Sequence, residues 1–250
     1  MPLSKPNSEI VKDWNTLAYD VENLVDNHFR DASQKVILSW ATLQIQDLPD
    51  IFGAPRDIVT SRKSGIALIK AALWSELSSM FAYSCWAGHY RRDMQTLFTK
   101  LEADFSAERN AARPPPYHHC KTLMTNLIST LETREQRGQV VGHVAIAIAE
   151  LLAPCRPRHL SFNTYHSDLR AVVHKAVNMD LALHGQMDAY TLQWRTGKVF
   201  EDAYMAPASG CSQGSSKNVR FRIRPGLYRA DAQGDSFSNF AVVEKATVWL

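Results

Sequence analysis

Long apolar runs are scarce in this chain, and so is net charge. The first residues, Met1 to Asn7, lack the apolar stretch and small-residue cleavage site of a secretory signal, so export is not expected. The two most apolar stretches are 65–86 and 140–152. The first is interrupted by Lys70 and Glu76, and the second is about half of what a bilayer requires, so neither is expected to span a membrane. A formal charge of +3 is too small to imply a nucleic-acid or anionic-membrane partner by itself. The four cysteines, Cys85, Cys120, Cys155 and Cys211, form no CxxC pair, which argues against a secreted disulfide framework and for free thiols in cytoplasm or nucleus.

What is present is ordinary globular composition, 45% hydrophobic and 21% charged, in a chain of 250 residues, long enough to bury a core without staples. The clearest pattern is at 8–29. Ile10, Trp14, Leu17, Val21, Leu24 and His28 recur at steps of four and three, with Lys12, Asp13, Asp20, Glu22 and Asp26 off the stripe. That is the face of an amphipathic core helix. Further helices are expected at 36–45, 62–86, 90–110, around Leu123 to Leu131, at 140–152, and from Tyr165 to about Leu192. Gly88 is the expected break between the third and fourth, and Arg113-Pro114-Pro115-Pro116 reads as a connector, because proline lacks the amide donor and fixes φ.

Beyond Thr196-Gly197 the period changes. A Gly- and Ser-rich loop at 209–216 leads into Val219, Phe221 and Ile223, which alternate with Arg220, Arg222 and Arg224 as in a half-buried strand. Pro225-Gly226 turns the chain, and 240–250 is expected to supply a partner strand. The expected fold is one mainly α domain of six to seven helices, orthogonal or bundle-like, with a small C-terminal antiparallel β element. Residues 1–195 form the helical core, 196–216 a loop and 217–250 the β-rich segment packed on it.

The chain resembles a group of uncharacterised proteins of filamentous fungi in its opening helix with Trp14 and His28-Phe29, in Asp180-Leu181-Ala182-Leu183, and in the closing Pro225-Gly226-Leu227, Gly234-Asp235 and Val242-Val243-Glu244-Lys245. The resemblance implies a fungal, non-secreted origin. It carries no activity onto particular residues.

Several short constellations have chemical meaning. Gly210-Cys211-Ser212-Gln213-Gly214 matches the G-x-S-x-G nucleophile elbow, but no apolar strand precedes it and no histidine follows His184, so a flexible linker is expected instead. His118-His119-Cys120 and Cys155-x-x-x-His159 contain zinc-type ligands without the matched close spacing of a structural site, and neither metal nor cofactor is expected. Asp180 and His184, four apart on the late helix that also holds His174, could orient an imidazole, and are read as a helix-surface pair. Pro114, Pro115, Pro116 and Tyr117 fit P-P-x-Y, which WW domains bind in the polyproline II form, and stand as the candidate partner motif. Arg220, Arg222 and Arg224 stand as the candidate anion-binding face, although a nucleic-acid partner is not expected, since a solvated strand face explains the same residues.

No catalytic constellation lies in the sequence context its chemistry requires, so the leading expectation is a non-enzymatic intracellular interaction or regulatory protein with a protein partner. The alternative is an enzyme or small-ligand binder with an apolar pocket between helices, accessory to a fungal specialised-metabolite pathway. A concave pocket converging on histidines would favour the alternative, and a protruding arginine sheet would favour anion binding.

Overall fold

The first long helix begins where Pro6 leaves the chain extended. The Pro6 carbonyl accepts the amides of Glu9 and Ile10, and helix α1 then runs Asn7–Phe29 with Ile10, Trp14, Leu17, Val21, Leu24 and His28 all buried. These coordinates are a computed structural model, which describes residues 5–44, 55–82, 93, 96–97, 100, 115–157, 159–186, 189–194, 199–209, 211, 218–230 and 241–250. Among the described residues there are seven α-helices: α1, α2 (Gln34–Gln44), α3 (Pro55–Ile58), α4 (Arg62–Ala82), α5 (Pro115–Leu131), α6 (Arg134–Leu152) and α7 (Phe162–His184). A short 3-10 turn, Ala153–Cys155, extends α6. The fold is therefore mainly α with a small set of strands near its C-terminal end. The helix expected over 90–110 falls outside the described residues except at Asp93, Thr96, Leu97 and Lys100, which are helical.

The core lies where α1, α4 and α7 pack on one another, with α6 against α7. Trp14 meets Trp74 of α4 at a ring separation of 5.1 Å and Phe81 edge-on at 6.3 Å. His28 and Phe29 meet Tyr165 of α7 edge-on at 5.2 and 5.6 Å. Local chemistry fixes the helix starts. Thr133 and Gln136 form a reciprocal capping box for α6, and Ser161 caps α7 through the Thr164 amide.

Pro115 and Pro116, read as part of a connector, instead open α5. Proline is tolerated in a first helical turn because its missing amide would have had no intrahelical acceptor there. The late helix also ends earlier than expected, at His184. Gly185 follows, its amide donating to the Leu181 carbonyl at 3.0 Å, and the chain then turns back as strand β1 (Ala189–Gln193).

β1 belongs to a sheet of order β1-β4-β5, with β4 at Gly226–Ala230 and β5 at Ala241–Glu244; both pairings are antiparallel. A second sheet has order β2-β6-β3, with β2 at Met205–Pro207, β3 at Phe221–Arg224 and β6 at Ala246–Trp249. β3 pairs β6 antiparallel, but β2 pairs β6 in parallel, so the β element is mixed. Strands thus occur within both 1–195 and 196–216. Lys245 divides the strand expected over 240–250 into β5 and β6, which enter different sheets, and Pro225, where a turn was expected, separates β3 from β4, which do the same. Gly226 has no room for a side chain: a Cβ there would fall 2.7 Å from the Tyr228 ring and 3.1 Å from the Glu244 carbonyl oxygen. β3 lies on α4, placing Phe221 and Ile223 in the main core with Leu227 and Trp249.

Candidate functional site

Asp180 continues the apolar stripe of α7, three residues beyond Val177 and four beyond Ala176, and it is completely buried. A carboxylate in that position is costly to desolvate unless it has charged or hydrogen-bonding company. One helical turn later comes His184, whose Nδ1 lies 3.0 Å from the Asp180 backbone carbonyl oxygen and 3.0 Å from carboxylate Oδ1. The hydrogen bond runs to the carbonyl, and the carboxylate oxygen sits beside it at ion-pair distance. The pair is thus not on the helix surface, as its spacing suggests, but at the edge of the core.

Both residues line a cavity of about 440 Å³. Its walls come from four segments: Ser75, Ser78, Ser79 and Phe81 of α4; Lys121 of α5; Asp180, Leu183 and His184 of α7; and Tyr190 to Leu192 with Trp194 on and after β1. Polar ties hold these segments in place. Thr125 Oγ1 donates to the His184 carbonyl at 3.5 Å and Thr122 Oγ1 to the Gln186 carbonyl at 3.2 Å, which sets the α5 turn carrying Lys121 over the end of α7. Tyr190 donates its hydroxyl to Asn7 Oδ1 at 2.8 Å, and the Lys5 amide donates to Gln186 Oε1 at 3.1 Å, binding β1 and the α7 end to the start of α1. The Ser78 hydroxyl is buried and makes no hydrogen bond. Carboxylate, imidazole, ammonium and hydroxyls therefore share one concavity with three aromatic rings.

The sites anticipated from sequence are placed elsewhere. Arg220, Arg222 and Arg224 do not form one solvated face. Arg220 is exposed and donates to the Asp57 carbonyl at 3.2 Å, Arg222 is only 1% exposed, and Arg224 is half-buried. The reason is twofold: α4 covers one side of β3, and a register shift between Arg222 and Arg224 breaks the period-two alternation. Burial lowers the Arg224 guanidinium from its usual range, opposed by the carboxylates of Glu244 and Glu22.

Of the P-P-x-Y residues, Pro114 lies outside the described residues, as do the side chains of Pro115, Pro116 and Tyr117; the backbone from Pro115 onward is helical, not extended. The side chains of His118 and His119 and most of the 210–214 segment also lie outside them. Cys120 is exposed while Cys155 is buried, its thiol pushed up to about 12 by desolvation. No group of three or more His, Cys, Asp or Glu side chains converges among the described residues. Among the described residues one helical stretch, Arg134–Cys155, is long and apolar enough to cross a membrane by length and composition, with 33% of its most apolar window buried inside the fold. The signal that could have located the cavity was Asp180 itself, an acid on an otherwise apolar stripe. No family model, curated protein or solved structure matches the chain.

Proposed function

We propose that this is an intracellular small-molecule-binding protein whose ligand sits between the C-terminal ends of α4 and α7, β1 and the start of α5. One observation carries the reading: a fully buried carboxylate, Asp180, is brought with His184 to the wall of a cavity of about 440 Å³. That volume falls within the roughly 300–1,000 Å³ usual for small-ligand sites. Phe81, Tyr190 and Trp194 suit an aromatic or flat apolar body, while the serine hydroxyls, Lys121 and the Asp180–His184 pair suit a polar edge. The test is a thermal-shift screen of aromatic, hydroxylated metabolites on wild-type protein and on Ser75→Trp, which fills the cavity. A ligand at about 100 times its Kd stabilises by roughly 2.7 kcal/mol, a shift easily read. Hits lost in Ser75→Trp support the reading; hits that persist unchanged in it place the ligand elsewhere and refute it.

A second reading is an interaction or regulatory role, favoured by Leu123, Leu127 and Leu131. These three recur every four residues on α5 and are each more than half exposed, at 53–56%. A ridge of that kind suits a partner helix. Leu127→Glu would abolish capture of such a partner while leaving small-molecule binding intact.

A further inference from the structure

Glycine is a poor helix former, yet α6 carries two glycines inside its length, Gly138 and Gly142. The packing of the chain itself requires neither. A Cβ at Gly138 would meet nothing within 4 Å, and one at Gly142 would meet only Arg170 Nη1, at an ordinary 3.6 Å. Glu135 precedes them and Ile146 follows, at steps of three, four and four, so all four residues share one face of α6. That face lines an open groove of about 500 Å³ that Arg170 of α7 also borders. Glu135 and Arg170 are both exposed, Ile146 is 47% exposed, and among the described residues neither Glu135 nor Arg170 has an ion-pair or hydrogen-bond partner. The groove thus carries an unpaired acid at Glu135 and an unpaired base beside Gly142, roughly 10 Å further along the helix axis.

We infer that two copies of this chain pair through this groove, α6 antiparallel to α6, about a two-fold axis at Gly138. A two-fold contact must be self-complementary: if one residue touches a second across it, the second touches the first in return. An axis midway between Glu135 and Gly142 meets that condition, because it brings the Glu135 of each copy to the Arg170 of the other. It also sets the closest backbone approach where Gly138 leaves room. Parallel pairing would oppose Glu135 to Glu135 and Arg170 to Arg170. One helix face on each side makes a small interface, so the dimer forms in a concentration-dependent way. Ligand binding in the Asp180 cavity is not required for it.

Sedimentation velocity of the full chain tests the pairing. Wild type is expected to pass from monomer to dimer as its concentration rises to about 100 µM. Glu135→Arg and Arg170→Glu each set like charges in contact, and each should raise the dissociation constant by about 10-fold or more. An equimolar mixture of the two variants should recover the wild-type constant, because one copy then offers two bases and the other two acids. A contact within one chain does not give that recovery. Gly138→Leu, for whose Cβ the monomer has space, should also stay monomeric while unfolding cooperatively at no lower a temperature than dilute wild type. Leu127→Glu, on the ridge of α5, should leave the dimer intact. A wild type that stays monomeric overturns the inference and leaves the groove to a helix of another protein. A dimer that survives both charge variants, a mixture that fails to recover, or a dimer lost in Leu127→Glu instead overturns it as well.

Discussion

Two tryptophans of this core are equally buried but differ in one hydrogen bond. Trp14 on α1 is 0% exposed and its indole N–H has no acceptor, whereas Trp40 on α2 is 2% exposed and donates to the Leu151 carbonyl at 2.9 Å. Replacing either by phenylalanine gives up about 40 Å² of buried apolar surface, worth about 1 kcal/mol. It also leaves about 40 Å³ of void, worth about another 1 kcal/mol. At Trp14 the substitution removes a desolvated donor whose burial costs about 1–3 kcal/mol, so the terms cancel and Trp14→Phe should lie within about 1 kcal/mol of wild type. At Trp40 it orphans a carbonyl in the last turn of α6, which adds about 1–2 kcal/mol, so Trp40→Phe should cost about 3–4 kcal/mol. Reversible urea unfolding followed by far-ultraviolet circular dichroism reads the contrast. At a slope of about 1–3 kcal/mol per molar, the Trp40 variant loses roughly a molar or more in midpoint and the Trp14 variant a small fraction of that. If Trp14→Phe destabilises as much as Trp40→Phe, the indole N–H of Trp14 is satisfied in solution and the reasoning fails.

Tyr165 offers a related case: its hydroxyl is buried without a partner and its pKa is raised by desolvation, so Tyr165→Phe should be neutral or stabilising by up to about 1 kcal/mol in the same denaturation assay. The Cys155 thiol, pushed up to about 12 from 9.0 by burial, should resist an aromatic disulfide reagent that labels exposed Cys120 within minutes, and become reactive only on unfolding. Because the unfolded thiol ionises first, its contribution to stability is complete below pH 9.0 and lost as the pH rises toward about 12, so Cys155→Ala should show a shallower alkaline fall in melting temperature than wild type. Removing residues 217–250 strips Phe221, Ile223, Leu227 and Trp249 from the main core, and the truncated chain should be insoluble or lack near-ultraviolet dichroism; unchanged cooperative unfolding would make that segment a separate module.

The helices were legible where the apolar stripe is strict and bounded. The α1 stripe ends against polar residues on both sides, and Ile10, Trp14, Leu17, Val21 and Leu24 are all core. Legibility failed where a local signal admits two geometries. Proline pairs forbid a helix interior but not its first turn, and Pro115 and Pro116 take the second option. Leu181, Leu183 and Leu192 look like one continuing helix, yet Gly185 ends it and Tyr190-Thr191-Leu192 forms part of β1 instead. Alternating arginines suggest a solvated face only while the strand has one covered side. With α4 on β3 and a register shift within it, Arg222 goes inside. These outcomes depend on which element docks where, information spread over the whole chain.

The same dependence governs the cavity. Its walls come from α4, α5, α7 and β1, and the polar contacts that set their relative positions include Thr122 to Gln186, Thr125 to His184, Tyr190 to Asn7 and the Lys5 amide to Gln186. Each such bond contributes only about 1 kcal/mol net, so this corner should open locally at lower free energy than the α1–α4–α7 core. A ligand that contacts several walls at once would close those openings. Bound protein should therefore gain hydrogen-exchange protection first at Lys5 to Asn7, at the start of α5 and along β1, including positions such as Lys5 and Asn7 that do not line the cavity. The buried half of α1 should change little, because Trp14, Leu17 and Val21 are already enclosed without a ligand.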